Sequence, residues 1–195
     1  YLDKLSDEAE KTQSVNTIYL KDEMLIGHNT DIGGFESALK HINFEVSGKK
    51  VLLLGAGGVS PSIILALQNM KANKIFLSNR THSKAENLKE KFNEIEVIKW
   101  GTMPNIDMIV NSTSLGLKKS DNIDIDYSKV GSDKFFYDVI YNPSETNFLK
   151  LAKRYGNKVE NGKLMFIFQA LEAFKLWHGV EPNVNKDSIE LLLND

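Results

Sequence analysis

No cysteine occurs among the chain's 195 residues. That excludes disulfides, a thiol nucleophile and any cysteine metal site, and it is the composition a reducing cytoplasm favours. An excess of charge is missing too: 24 Lys and Arg against 26 Asp and Glu leave a net charge of −2. With no basic cluster interleaved with aromatics, neither nucleic acid nor an anionic membrane is an expected partner. HExxH, grouped histidines and acidic loops of metal-binding spacing are all absent, and His28 near Asp31 is too little to suggest a site, so no metal is expected. No targeting tail, repeat or low-complexity segment is visible. The uncharged run from Val51 to Met70 is broken by glycines 55, 57 and 58, by Pro61 and by serines 60 and 62. The apolar pieces on either side are too short for a membrane span.

That same run organises the rest. Val51 to Leu54 reads as a short strand, Gly55-Ala56-Gly57-Gly58 as a tight turn, and Pro61 as the first turn of a helix, where its missing N–H is not needed. Glycines let the backbone turn sharply and approach a ligand, while the helix directs free N–H groups and its positive dipole end at a phosphate. Gly55 to Val59 therefore reads as a cradle for a dinucleotide pyrophosphate, with Ser60 where a third glycine or alanine ordinarily allows close packing. An ordinary glycine-rich strand-to-helix turn would carry the same residues.

Downstream, strand and helix alternate. Lys74–Ser78 reads as strand; Ser83 with Glu86 as a capping box opening a helix to Phe92; Glu96–Trp100, Ile106–Asn111, Phe135–Ile140 and Lys158–Glu160 as strands; and Pro143-Ser144 as the start of a helix to Tyr155. Counted from Val51 this makes six strands, the number of a Rossmann-like, doubly wound parallel α/β sheet with helices on both faces. Upstream, Leu2, Leu5 and Ala9 have helical spacing, Val15–Tyr19 and Met24–Ile26 form a hairpin around Lys21-Asp22-Glu23, and a polar loop leads to a helix from Phe35 to His41. A long apolar helix follows Gly162, and a short one begins near Asn185. A chain opening in mid-helix at Tyr1 suggests that residues precede it.

The second strand ends at Asn79, Arg80 and Thr81, where NAD-binding proteins place a carboxylate on the ribose 2′-OH. No acid stands there; Arg80 offers a planar fork of donors suited to a 2′-phosphate, and Lys84 lies one turn further on. NADP is expected over NAD, with His82 a bystander. Tyr141, at the end of the fifth strand, lies at the carboxyl edge where open sheets bind ligands.

Seven stretches in order resemble the shikimate dehydrogenases: SVNTI (14–18), GHNTDIGGF (27–35), LLLGAGG (52–58), NRT (79–81), VNSTSLGL (110–117), DVIYNPSET (138–146) and NGKLMFIFQALEAFKLWHG (161–179). The resemblance implies NADP-dependent reduction of 3-dehydroshikimate to shikimate, with substrate held between two α/β domains. It divides the chain into 1–32 as a remnant of the substrate domain, 33–161 as the cofactor domain and 162–195 as helices returning to the substrate domain. It makes Asp31 the acid/base partner, Asn16, Asp31, Tyr141 and Gln169 substrate contacts, Ile140 and Gly162 backbone contacts to the nicotinamide end, and Met165 a neighbour of that ring. Without it, Asn29, Thr30 and Asp31 read as an Asx turn or helix cap, and Gln169 as a core amide. The family's catalytic lysine matches no residue here, and Ile32 and Leu117 depart from the usual glycine and methionine. A chain fragment inactive by itself, a non-catalytic NADP-binding module and an NAD-dependent quinate relative therefore stand as alternatives. A cytoplasmic location and a homodimer are compatible with the resemblance.

Overall fold

A computed structural model describes residues 1–194. The chain divides into two units, residues 46–162 and residues 1–45 together with those from Lys163 onward. The sequence expectation put the first boundary at 32/33; the helix that follows belongs instead with the N-terminal unit, because it packs along the long helix after Gly162.

In the first of these, β4 (Lys50–Leu54), α3 (Ser60–Asn69), β5 (Lys74–Ser78), α4 (His82–Lys91), β6 (Ile95–Ile98), β7 (Met108–Asn111), α5 (Tyr127–Val130), β8 (Phe135–Asp138), α6 (Asn147–Arg154) and β9 (Lys158–Glu160) follow one another. The sheet order is β6-β5-β4-β7-β8-β9 and every pairing is parallel. Each of the six strands expected from the sequence is present, with β6, β7 and β8 shorter than expected, and the order reverses at β4, so its carboxyl end is the switch point where such sheets take ligands. In register, Leu54 stands beside Ser78 on one side and Asn111 on the other, and Asn111 beside Asp138. The residues that follow these four therefore leave the sheet together.

Alternation builds the core. Leu52, Leu54, Ile109 and Phe136 share one face and pack with Tyr127 and Val130 of α5 and Phe148, Leu149 and Ala152 of α6. Each such large side chain contributes roughly 1.5–3 kcal/mol by leaving water. The alternate residues Val51, Leu53, Met108 and Val110 are equally buried, as a sheet covered on both faces requires.

Some local expectations need correcting. The proposed capping box fails because Thr81, extended at φ −92° and ψ 97°, precedes α4, placing Ser83 inside the helix while Glu86 pairs with His82 at 3.3 Å. Helix α6 starts at Asn147 rather than at Pro143-Ser144, because the Thr146 hydroxyl accepts from the Leu149 N–H and acts as the cap. Strand β6 ends at Ile98, so Trp100 lies beyond it.

The other unit contains β1 (Lys4–Leu5), α1 (Asp7–Thr12), β2 (Thr17–Lys21), β3 (Met24–His28), α2 (Asp31–His41), α7 (Lys163–His178) and α8 (Lys186–Asn194). Its sheet runs β1-β3-β2. The hairpin forms as expected, with Asp22 and Glu23 both at positive φ in its turn. The expected opening helix is confined to α1, which buries Ala9; Lys4 and Leu5 instead pair in parallel with Ile26 and Gly27, so Leu2 and Leu5 lie outside it. Helix α2 begins at Asp31, a turn before the expected Phe35. Among the described residues no helix is long and apolar enough to cross a membrane.

Candidate active site

At the exit of β4 a cleft of about 420 Å³ is lined by the glycine turn, by Asn79, Arg80, Thr81 and Lys84, by Trp100 and by residues 112–115. Gly55 has φ +112°, and a Cβ there would come within 2.8 Å of Ser112 Oγ, so the turn itself demands glycine. Gly57 and Gly58 differ: a Cβ at Gly58 meets nothing within 4 Å, and one at Gly57 only the Ser112 carbonyl at 4.0 Å. No protein atom needs the space these two leave open, as expected where a ligand comes against the backbone. Among the described residues the Gly58 and Val59 amides donate to no protein acceptor, and they precede the N-terminus of α3.

Asn79 braces this turn from the neighbouring strand end, accepting from the Ala56 N–H at 3.1 Å and donating to the Thr81 carbonyl at 2.7 Å. It positions the cradle and keeps one amide hydrogen beyond the one spent on Thr81. Arg80 and Lys84 are exposed at the rim and enter no ion pair among the described residues. Two unneutralised cations with no carboxylate in the lining fit a 2′-phosphate. The residues present thus fit NADP on free amides, on open backbone and on charge.

A second layer was not legible as a site. The Gly57 N–H donates to Ser60 Oγ at 2.9 Å, Ser60 Oγ lies 3.0 Å from Ser112 Oγ, and Ser112 Oγ donates to the Leu54 carbonyl at 2.9 Å. One hydroxyl relay locks the glycine turn to the loop after β7, so Ser60 does more than keep the contact small. One strand over, fully buried Asp138 accepts from Asn111 Nδ2 at 2.9 Å, the Ile140 N–H at 3.1 Å and Thr146 Oγ1 at 2.6 Å. Burial outweighs these bonds and pushes its carboxyl up to about 6. Asn111 in turn accepts from the Thr113 N–H and hydroxyl, which shapes the loop that lines the cleft.

Ile140 and Gly162, expected at the nicotinamide end, bond to each other: the Gly162 N–H donates to the Ile140 carbonyl at 3.1 Å. A Cβ at Gly162 would collide with the Val139 backbone, so a structural reason for this glycine is visible. Tyr141 follows, 45% exposed.

In the N-terminal unit, two expected substrate residues from distant parts of the chain, Asn16 and Gln169, converge on Thr30, and a third, Asp31, follows it directly. Asn16 Nδ2 donates to Asp31 Oδ1 at 2.9 Å, while Asn16 Oδ1 accepts from the Thr30 N–H at 2.9 Å. The fully buried Thr30 hydroxyl lies 3.2 Å from both Asn16 Oδ1 and Gln169 Oε1. Gln169 is held from the other side by the Phe166 carbonyl, 3.0 Å from its Nε2. Close helix packing brings it there: a Cβ at Gly34 would lie 2.8 Å from Gln169 Cβ and 2.9 Å from the Met165 carbonyl. Met165 itself is buried in this packing. The Asp31 carboxyl stands above its ordinary range, chiefly through burial, opposed by the Asn16 hydrogen bond and reinforced by Glu172. Glu172 also lies 3.3 Å from His28 Nε2. Among the described residues no group of His, Asp and Glu could hold a metal ion.

Residues 36–126 match the family model for shikimate / quinate 5-dehydrogenase. The shikimate dehydrogenase (NADP(+)) of Pelagibacter ubique is 57% identical over 192 residues, covering 98% of this chain and 72% of that protein. The crystal structure of shikimate dehydrogenase from Aquifex aeolicus superposes with a TM-score of 0.88 at 39% identity, over 100% of this chain and 71% of that one. The Thermus thermophilus shikimate 5-dehydrogenase, solved with NADP(H) and shikimate, gives 0.88 at 31% identity, over 99% and 72%. Identity of this order, sustained over nearly the whole chain and on the same fold, means that the chain belongs to the shikimate dehydrogenase family.

Proposed function

We propose that the protein interconverts 3-dehydroshikimate and shikimate with NADP(H), a step toward chorismate and the aromatic amino acids. The observation that carries this reading is that Asn16 and Gln169 meet at one buried threonine, Gln169 from 139 residues away, while Asn16 also holds Asp31, the next residue in the chain. When bound, NADPH supplies the hydride for the ring carbonyl and NADP+ takes one back.

The remaining work belongs to side chains. Reduction leaves an alkoxide oxygen that needs a proton, and oxidation requires that proton to leave. Asp31 holds or moves it: Oδ1 is occupied by Asn16, so Oδ2 is the oxygen offered to a ring hydroxyl. A carboxyl raised by burial exchanges protons closer to neutrality than an exposed aspartate would. Asn16 and Gln169 each keep one amide hydrogen beyond those spent on Asp31 and Phe166, and these orient ring oxygens. Tyr141 is a further substrate contact in this reading. Ile140, Gly162 and Met165 serve the nicotinamide end, the first two through the backbone.

The free guanidinium of Arg80 favours NADP over the NAD of a quinate-directed relative. The absence of cysteine suits a cytoplasmic location, and a homodimer, checked by sedimentation, completes the proposal. The test is NADP+ reduction by the native protein, titrated with shikimate. Saturable, shikimate-dependent turnover is expected; NADP+ binding without turnover would leave a binding module, and faster turnover on quinate with NAD+ would move the protein to the other substrate.

A further inference from the structure

The cofactor cleft has a mixed lining. Glycine, hydroxyl, amide and cation stand beside Ala56 and Leu115, and Trp100 is the aromatic side chain among them. The turn, Arg80 and Lys84 are committed to pyrophosphate and 2′-phosphate, and the purine still needs a flat face to stack on.

Trp100 offers such a face. It stands just past β6, in a turn closed by the Thr102 N–H on the Lys99 carbonyl at 3.0 Å. The next residue, Gly101, has φ +82°, a turn conformation that glycine adopts without strain. The indole is half-buried, packed on the edge of the core cluster that Leu52 and Leu54 of β4 belong to. Its ring is thus fixed by packing on one side and open to the cleft on the other. Strand β6 neighbours β5, whose exit carries Arg80, so the aromatic ring and the guanidinium border the same cleft from adjacent strand ends.

We propose that Trp100 is the adenine-stacking wall of the cofactor cleft, a binding residue that serves NADP and NAD alike and leaves the choice between them to Arg80. The inference rests on the cofactor reading above. Stacking on an aromatic ring is indifferent to what the ribose carries, because every base presents a π face.

Two tryptophans occur in the chain, and Trp177 is exposed on α7. A Trp177→Phe protein therefore reports Trp100 alone. Titration with adenosine 2′,5′-bisphosphate, which has the adenine but no nicotinamide, should quench its emission saturably. Trp100→Ala should then weaken NADP+ and NAD+ by the same factor, roughly five- to 150-fold, with Trp100→Phe recovering part of the loss, all read by calorimetry. Unchanged emission at saturating nucleotide, or Trp100→Ala affinities within twofold of the parent, would overturn the inference and leave the cofactor assignment standing. Failure of the parent protein to bind NADP+ at all would overturn both.

Discussion

Glycines 57 and 58 stand just before a helix and glycines 33 and 34 in the first turn of one, and they do opposite things. At Gly58 an added Cβ would meet nothing within 4 Å, whereas at Gly34 it would press on Gln169 and on the Met165 carbonyl, and at Gly33 on the Glu172 carboxylate. The first pair leaves room for something outside the protein. The second lets α7 lie close on α2, which carries Gln169 to Thr30. A glycine's role is thus decided by what its missing side chain would touch, and the two units use the same residue for ligand access and for internal packing.

The contrast can be broken most severely at the residue the packing serves. Asp31→Asn keeps an oxygen for the Asn16 amide but cannot exchange a proton, so kcat should fall by roughly 10²- to 10⁴-fold, measured by shikimate-dependent NADP+ reduction. Gly34→Ala forces Gln169 and α7 outward and should cost about 1–3 kcal/mol of unfolding free energy in urea melts, with a weaker apparent affinity for shikimate. Gly58→Ala is its counterpart: stability should stay within about 0.5 kcal/mol of the parent, while NADP+ affinity drops. Equal melts for the two variants would erase the distinction.

Finer differences follow. Arg80→Gln should weaken NADP+ roughly 10- to 100-fold, the worth of a charged hydrogen bond, and leave NAD+ nearly unchanged; equal loss of both would remove the 2′-phosphate role. Asp138 is a smaller matter of pH. Its folded carboxyl sits at about 6 against 3.8 unfolded, so the folded state binds the extra proton between those values. Stability attributable to Asp138 therefore falls as pH rises from 3.8 and levels off above about 6, a change of roughly 2–3 kcal/mol at most. Asp138→Asn should flatten that part of the stability profile, and an unchanged slope would deny the buried carboxyl its role.

Much of this was readable beforehand because it is periodic or local. The strands of the parallel sheet are short apolar runs set between turn residues, the hairpin has its polar tip at Asp22-Glu23, and the glycine turn announces itself. What escaped depends on adjacency that no spacing encodes. Ser112, Asn111 and Asp138 belong together only because β4, β7 and β8 end in register, and Thr30 becomes a hub only once α7 returns over α2. Helix α5, four residues long, is too short to show a period. Trp100 was lost to a strand reading that ran two residues too far.

The most direct test of the division of labour is NADP+ calorimetry on Asp31→Asn, run beside its turnover. The account predicts lost turnover with NADP+ affinity within twofold of the parent, since Asp31 and the glycine turn lie in separate units. A parallel loss of affinity, or turnover that survives, would contradict it.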